Sequence, residues 1–410
     1  MNNEKCKKKV LAEEIVEWRR DFHKYPELSF EEKRTSKIVA EFLSSLGLYV
    51  KENINGHGVT ADLLVKENGP TIALRADMDA LPIQEETELS FASTVPGVMH
   101  ACGHDGHTSI LMGAAKLLAS NRDKLNGNIR FIFQPAEEVN PGGAIGMINN
   151  GVLDGVDAVF GLHLWSELPS GTFRTCYGPM MAATDQFKIE VKGKGGHGGM
   201  PHKTTDSIVI ASHLIMSAQH IISRNINPLE SGVITFGKFE SGSAFNIIAN
   251  KAVLEGTARS FTPEVRDIIQ TNMEELVDGL RKIYGTDIKV DYKRGYPAVV
   301  NHEKEVDVLL DAASKVFGSE NTGIMEPKMV GEDFSYYLKE IPGAFCFVGA
   351  GKPNHPMYPH HHPRFQIDEN VLPAASEWFY KLALKYFSGS SSDSSYLENS
   401  DRSTNDGKDE

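Results

Sequence analysis

The chain is short of the features that would place it in a specialised class. Its 410 residues hold four cysteines, Cys6, Cys102, Cys176 and Cys346, too few and too scattered for a disulfide scaffold. No apolar run approaches the roughly 20 residues that a helix needs to cross a bilayer. The opening MNNEKCKKKV carries positive charge, but Glu13, Glu14 and Glu17 interrupt the turns behind it, which speaks against a secretory leader. Basic residues are in deficit too: 42 Lys and Arg stand against 55 Asp and Glu, a net charge of −13. Beyond Lys7–Lys9 no basic run could follow a phosphate backbone or an anionic membrane. A cytoplasmic protein with neither nucleic acid nor membrane as partner is the expectation. No internal repeat stands out, and the length suits two domains.

What is present has a rhythm. Leu11, Ile15, Trp18 and Phe22 recur at helical spacing before Pro26, and a second stripe from Ile38 to Leu46 stops at Gly47. Strands are expected at Val59–Val65, Thr71–Ala76, Asn128–Phe133 and Val156–Leu162, with a helix at Thr108–Ala119. Such alternation predicts an α/β domain, a mostly parallel sheet sandwiched by helices. Functional groups in these sheets collect beyond the carboxyl ends of strands, where Asp77, Asp79, Glu137, Glu138 and His163 fall on this reading. From about Thr184 the order becomes β-α-β-β-α-β, ending with the strand Thr286–Tyr292, which predicts an inserted ferredoxin-like α+β domain. The expected division is 1–184 and 298–387 for the first domain, 185–297 for the insertion, and 388–410 as a disordered acidic tail. That tail holds eight serines, six acids and only Tyr396 and Leu397 as sizeable apolar groups.

The densest chemistry lies in Ala101-Cys102-Gly-His104-Asp-Gly-His107. A thiolate and an imidazole two residues apart, flanked by glycine, can converge on one metal ion. Taken alone, the segment also reads as a buried thiol beside a helix-capping aspartate. Glu137-Glu138 reads equally as a solvated turn, and His163 as a core histidine. Further on, His360-His361-His362 reads as metal ligand or as polar loop. Together these segments supply Cys, His, Glu, His and His from separate strand ends, an inventory that suits two close divalent ions better than one closed structural site.

In combination the wording becomes specific. Phe22-His23-Lys-Tyr-Pro-Glu27-Leu, Arg75-Ala-Asp77-Met-Asp79, Cys102-Gly-His104-Asp-Gly-His107 and Gln134-Pro-Ala-Glu137-Glu138 occur in order. Gly161-Leu-His163-Leu-Trp, Gly195-Gly-His197-Gly-Gly-Met-Pro-His202, Gly256-Thr-Ala-Arg259, Gly331-Glu-Asp333-Phe and His361-His-Pro-Arg-Phe follow. Over residues 10–387 the chain resembles the M20 family of metal-dependent amidohydrolases and peptidases, in its aminoacylase, hippurate hydrolase and auxin-conjugate hydrolase branch. The resemblance implies Cys102, His104, Glu138, His163 and His361 as metal ligands, with Cys102 bridging, and Glu137 as general base. It implies Asp79 as the carboxylate behind a ligand histidine, and His197 as the group that holds the scissile carbonyl oxygen, with His202 as the fallback. Asn246 and Arg259 match positions suited to a substrate carboxylate, where an arginine fork pairs bidentately. After Asn246 the chain reads Ile-Ile-Ala249 where relatives often carry proline, so that loop departs from the pattern.

The resemblance also implies a homodimer or tetramer through the inserted domain, which would serve as lid and dimerisation surface. Two divalent ions per subunit are expected, Zn²⁺ foremost, with Mn²⁺, Co²⁺ and Ni²⁺ also compatible with the donors. The expected reaction is hydrolysis of an N-acyl-L-amino acid to a carboxylic acid and an amino acid. A dipeptidase or carboxypeptidase would use the same metals. A non-catalytic metal-binding interaction protein would be expected to have lost Glu137 or a ligand, and this chain keeps all of them.

Overall fold

The computed structural model describes residues 2–389. Of the expected acidic tail, residues 390–410 lie outside the described residues, while Ser388 and Gly389 complete the helix Leu372–Gly389. Two compact units emerge. The first comprises the chain up to Tyr177, Asn301–Met325 and the chain from Tyr337; the second comprises Gly178–Val300 with Glu326–Tyr336.

The first unit is built on an eight-stranded sheet among the described residues. At its centre Asn128–Gln134, Thr71–Asp77, Ala158–Pro169 and Gly343–Gly351 run parallel to one another. These four read as near-continuous apolar runs because both faces are covered by helices, and Ile72, Leu74, Phe131, Phe133, Phe160 and Phe345 have no exposed surface. Full burial of each large side chain stabilises by about 1.5–3 kcal/mol. The helices Asn2–Lys24, His104–Ser120, Glu303–Phe317 and Leu372–Gly389 supply the covering core through Ile15, Phe22, Leu111, Leu309 and Trp378.

The sheet is mixed at its flanks. A hairpin of Tyr49–Ile54 and Gly58–Leu63, turned by the left-handed Asn55 and Gly56, joins Asn128–Gln134 antiparallel. The segment Tyr49–Ile54 gives no apolar signal because it is mostly exposed. His163 does not stand at a strand exit as the sequence suggested. Its strand continues to Pro169, and His163 sits mid-strand opposite Phe347.

The second unit is a four-stranded antiparallel sheet in the spatial order Gly232–Ser241, Lys251–Ser260, Ala183–Lys192, Ile288–Arg294. Alternate residues Phe187, Ile189, Val191, Ala252 and Leu254 face the helices Ser207–His220 and Pro263–Tyr284, whose Leu214, Ile269 and Met273 complete a separate core. Each helix begins on a side-chain cap, Asp206 accepting from Ile208 N and Thr262 from Val265 N. The unit has the predicted β-α-β-β-α-β order. A buried pair ties the sheet to the second helix: Arg266 donates to both oxygens of Asp185, which also accepts from the Tyr292 hydroxyl at 2.9 Å. Among the described residues no helix is long and apolar enough to cross a membrane.

Candidate metal centre

In the first unit, the strand Thr71–Asp77 ends in a carboxylate with no exposed surface. Asp77 pairs with Arg75 Nη1 at 2.6 Å and accepts from His107 Nδ1 at 2.6 Å, while Leu164 N donates to His107 Nε2 at 2.8 Å. Both nitrogens of His107 are therefore committed, and the ring buttresses Asp77. Gly103, at φ 96°, makes the left-handed turn that starts the helix at His104. His104 Nδ1 donates to the Asp79 carbonyl oxygen at 3.0 Å and to its carboxylate at 3.1 Å, which turns Nε2 inward.

That inward nitrogen is buried without a well-formed hydrogen bond, and so is Oε1 of Glu138, 3.9 Å away. With Nδ1 donating, a neutral His104 would face this carboxylate oxygen with a second acceptor, an arrangement that calls for positive charge at Nε2. Burial opposes charge on His104, yet Asp77, Asp79 and Glu138 override it and raise its pKa to about 10. The pocket is built to hold positive charge beside Nε2, as a proton or as a metal ion.

Glu137 and Glu138 follow the strand Asn128–Gln134 on a strained loop. Gln134 accepts from Arg75 Nε at 2.9 Å and Tyr337 Oη at 3.1 Å, and Ala136 takes a left-handed φ of 55°. Glu138 Oε1 meets His361 Nε2 at 3.4 Å. On the other side, His163 Nδ1 donates to Leu164 O at 2.7 Å, so that Nε2 faces Cys102 Sγ at 3.4 Å. Burial, with Glu138 and Glu137, raises the Cys102 thiol well above its ordinary pKa, while burial, His107 and His360 hold His163 well below. A neutral imidazole next to a thiol that only a cation would ionise is the donor chemistry of a borderline divalent metal.

Ligand-capable atoms fall within 4.8 Å of one another in the sets His104, Glu137, Glu138; Cys102, Glu138, His361; Cys102, His163, His360; and Asp77, His104, His107. The fold thus brings together Cys102, His104, Glu137, Glu138, His163 and His361, with Asp79 behind His104. It adds His360, whose Nε2 donates to Leu164 O at 2.9 Å, and Asp77, which the sequence reading had left without a role.

The remaining predicted residues lie in the second unit. Gly196–His197 pairs with Ile247–Ile248, and Gly198 N donates to Asn246 O at 2.9 Å. Glycine is required there because a Cβ on Gly198 would lie 2.9 Å from that same oxygen. His197 Nδ1 accepts from Gly199 N at 3.0 Å, and both His197 and Asn246 are exposed. His202 lies in the exposed turn Pro201–Lys203. Arg259 is half-buried and donates to its own strand at Ala258 O, 3.1 Å, and at Thr257.

Comparison with known proteins decides the family. The sequence pattern of peptidase family M20/M25/M40 matches residues 73–385. The chain belongs to that family. It is 43% identical over 376 residues to an N-acetyl-L-cysteine deacetylase of Bacillus subtilis, covering 91% of this chain and 88% of the relative. It is 42% identical over 389 residues to thermostable carboxypeptidase 1 of Saccharolobus solfataricus, covering 93% and 98%. A crystal structure of a dinuclear metal binding M20 peptidase from Bacillus subtilis superposes with a TM-score of 0.80 at 36% identity, covering 93% of this chain and 99% of that one. This M20 chain is an enzyme, a metal-dependent amidohydrolase, with candidate ligands for two divalent ions in its first unit.

Proposed function

We propose that the enzyme hydrolyses N-acyl-L-amino acids: N-acyl amino acid and water give a carboxylic acid and a free amino acid. The observation that carries this reading is the adjacent pair Glu137-Glu138. Glu138 turns Oε1 toward His104 and His361, while Glu137 keeps a carboxylate oxygen within 4.8 Å of the His104 and Glu138 donor atoms. The pair supports a division of labour in which one carboxylate binds a cation and its neighbour moves a proton.

In this reading Cys102, His104, Glu138, His163 and His361 hold two divalent ions, zinc foremost. When bound, the ions supply Lewis acidity to the scissile carbonyl and lower the pKa of water. Glu137 takes a proton from the attacking water and returns it to the leaving nitrogen. Asp79 fixes the His104 ring. His197 donates to the oxygen on which negative charge develops, an interaction that strengthens toward the transition state. His202, from the same glycine-rich segment, is the fallback for His197 in that role, and Asn246 and Arg259 hold the substrate carboxylate. A homodimer through the second unit fits the outer edge of Gly232–Ser241 and the exposed Val209 and Met216 on the helix beside it. The overall acidity and the absence of any disulfide framework fit the cytoplasm.

Carboxypeptidase or dipeptidase action is the second reading, favoured by the 42% identity to a carboxypeptidase. A panel of N-acetyl and N-benzoyl amino acids and dipeptides, run on metal-free protein reloaded with one metal at a time, separates the two. Glu137→Gln decides the base: metal content is expected to stay near the native value while kcat falls by about 10²–10⁴-fold. Unchanged turnover removes Glu137 from that role.

A further inference from the structure

The segment Pro26–Glu32, which begins with the Pro-Glu-Leu of the first family motif, is wired into the metal centre. Glu27 caps the helix Lys33–Ser45 by accepting from Arg34 N and Thr35 N, each at 2.8 Å. Leu28 bridges to Ala80, and Ser29 Oγ donates to Asp79 at 2.6 Å. Glu32, with no exposed surface, ends this run. Its Oε1 accepts from Ala136 N at 2.8 Å and from Phe30 N at 3.0 Å. Both donors are non-glycine residues in left-handed backbone, with φ of 55° and 64°, a conformation that costs roughly 1–2 kcal/mol and persists only where something holds it. Two residues on, Glu138 N donates to Asp79 Oδ2 at 3.0 Å. The amides on either side of Glu137 are thus each gripped by a buried carboxyl group from elsewhere in the chain.

We propose that Glu32 is a positioning residue for Glu137: it locks the Ala136 peptide from one side while Asp79 locks the Glu138 peptide from the other, which fixes the direction of the Glu137 side chain. The proposal rests on the reading of Glu137 as the base. Burial and the neighbouring Asp79 push the Glu32 pKa up to about 8, so at neutral pH a neutral group with one acceptor oxygen does the holding. Glutamine offers the same oxygen. Alanine offers none.

The test compares Glu32→Ala and Glu32→Gln in the native and Ala136→Gly backgrounds. N-benzoylglycine and N-acetyl-L-methionine serve as probes, with metal content measured alongside. Misdirecting a proton-transfer group by a fraction of an ångström to 1 Å costs up to about 100-fold. The expected result for Glu32→Ala is a kcat loss of about 30-fold, with KM and metal content near native. Glu32→Gln stays within about threefold. Glycine takes the left-handed turn without steric cost, so in the Ala136→Gly background the alanine variant loses about fivefold or less. Hydrogen exchange of the metal-free protein gives a readout independent of turnover: a peptide covering residues 134–143 exchanges about tenfold faster in Glu32→Ala only. Native kcat in Glu32→Ala, a glutamine variant as damaged as the alanine one, or a Glu32→Ala chain that folds in neither background overturns the proposal. If Glu137→Gln keeps its turnover, the base reading fails, and the exchange comparison alone decides whether Glu32 holds the loop.

Discussion

Glu32 also makes a prediction about stability that can be worked out with its sign. Its carboxyl has an ordinary pKa of 4.5 and is raised to about 8 in the folded chain by burial and then by Asp79. Because the folded value lies above the unfolded one, the native state disfavours the ionised group. Its contribution is intact below pH 4.5 and is lost as the pH climbs through 8. At about 1.4 kcal/mol per pH unit between those values, the ceiling is on the order of 4–5 kcal/mol. Water penetration and relaxation reduce this, and about 2 kcal/mol between pH 5 and pH 9 is the expected effect. Glu32→Gln keeps the acceptor oxygen and cannot ionise. Its stability relative to the native chain should therefore rise with pH across that window. Urea unfolding of both proteins at matched metal content, at pH 5, 6, 7, 8 and 9, reads the difference directly, since titrating groups that do not interact with Glu32 cancel. A difference that is flat with pH, or that falls as the pH rises, refutes the reasoning.

Other consequences follow from the same geometry. Arg259→Ala should lower kcat/KM for N-acyl amino acids by the equivalent of about 2–5 kcal/mol, and much less for their amidated counterparts; equal losses on both would show that Arg259 does not meet a substrate carboxylate. Arg266→Ala leaves Asp185, 2% exposed, as a buried carboxylate without its cation; a loss of about 3–5 kcal/mol in chemical denaturation is expected, and a loss under about 1 kcal/mol would contradict the buried-pair account. Gly143→Ala would place a Cβ 1.8 Å from the Pro135 carbonyl oxygen. Backbone must move in the loop that carries Glu137 and Glu138, so kcat should drop together with stability by about 1–3 kcal/mol or more; a variant with native kcat and native melting would show that the loop is looser than described.

The central parallel strands were legible because burial on both faces writes them as unbroken apolar runs, Thr71–Ala76 and Asn128–Phe133 among them. The second unit was legible from alternation, as in Gln186–Val191, where one face meets helices and the other does not. Strands that bury little, such as Tyr49–Ile54, or that span only three residues, such as Phe173–Thr175, carry no such signal. Most metal-binding candidates could be read as residue types at strand ends, although His163 proved to sit within its strand. The geometry of the histidine triplet could not be read. His361 takes a φ of 65° and its amide donates to Ala101 O at 2.8 Å, which turns neighbouring side chains to different donors and brings His360 close to Cys102 and His163. Glu32 was invisible for a different reason. Its partner Ala136 is 104 residues away, and a carboxyl that serves backbone amides leaves no pattern of residue types to recognise.

Zinc stoichiometry bears most directly on the centre itself. Glu138 belongs to two of the donor sets, as do Cys102 and His104, so its removal takes a donor from both. After metal-free protein is reloaded with zinc and dialysed, elemental analysis of the native chain should give about two equivalents, against fewer than about one for folded Glu138→Ala. A native chain that retains no zinc, or a Glu138→Ala chain that retains the full native complement, would contradict the account.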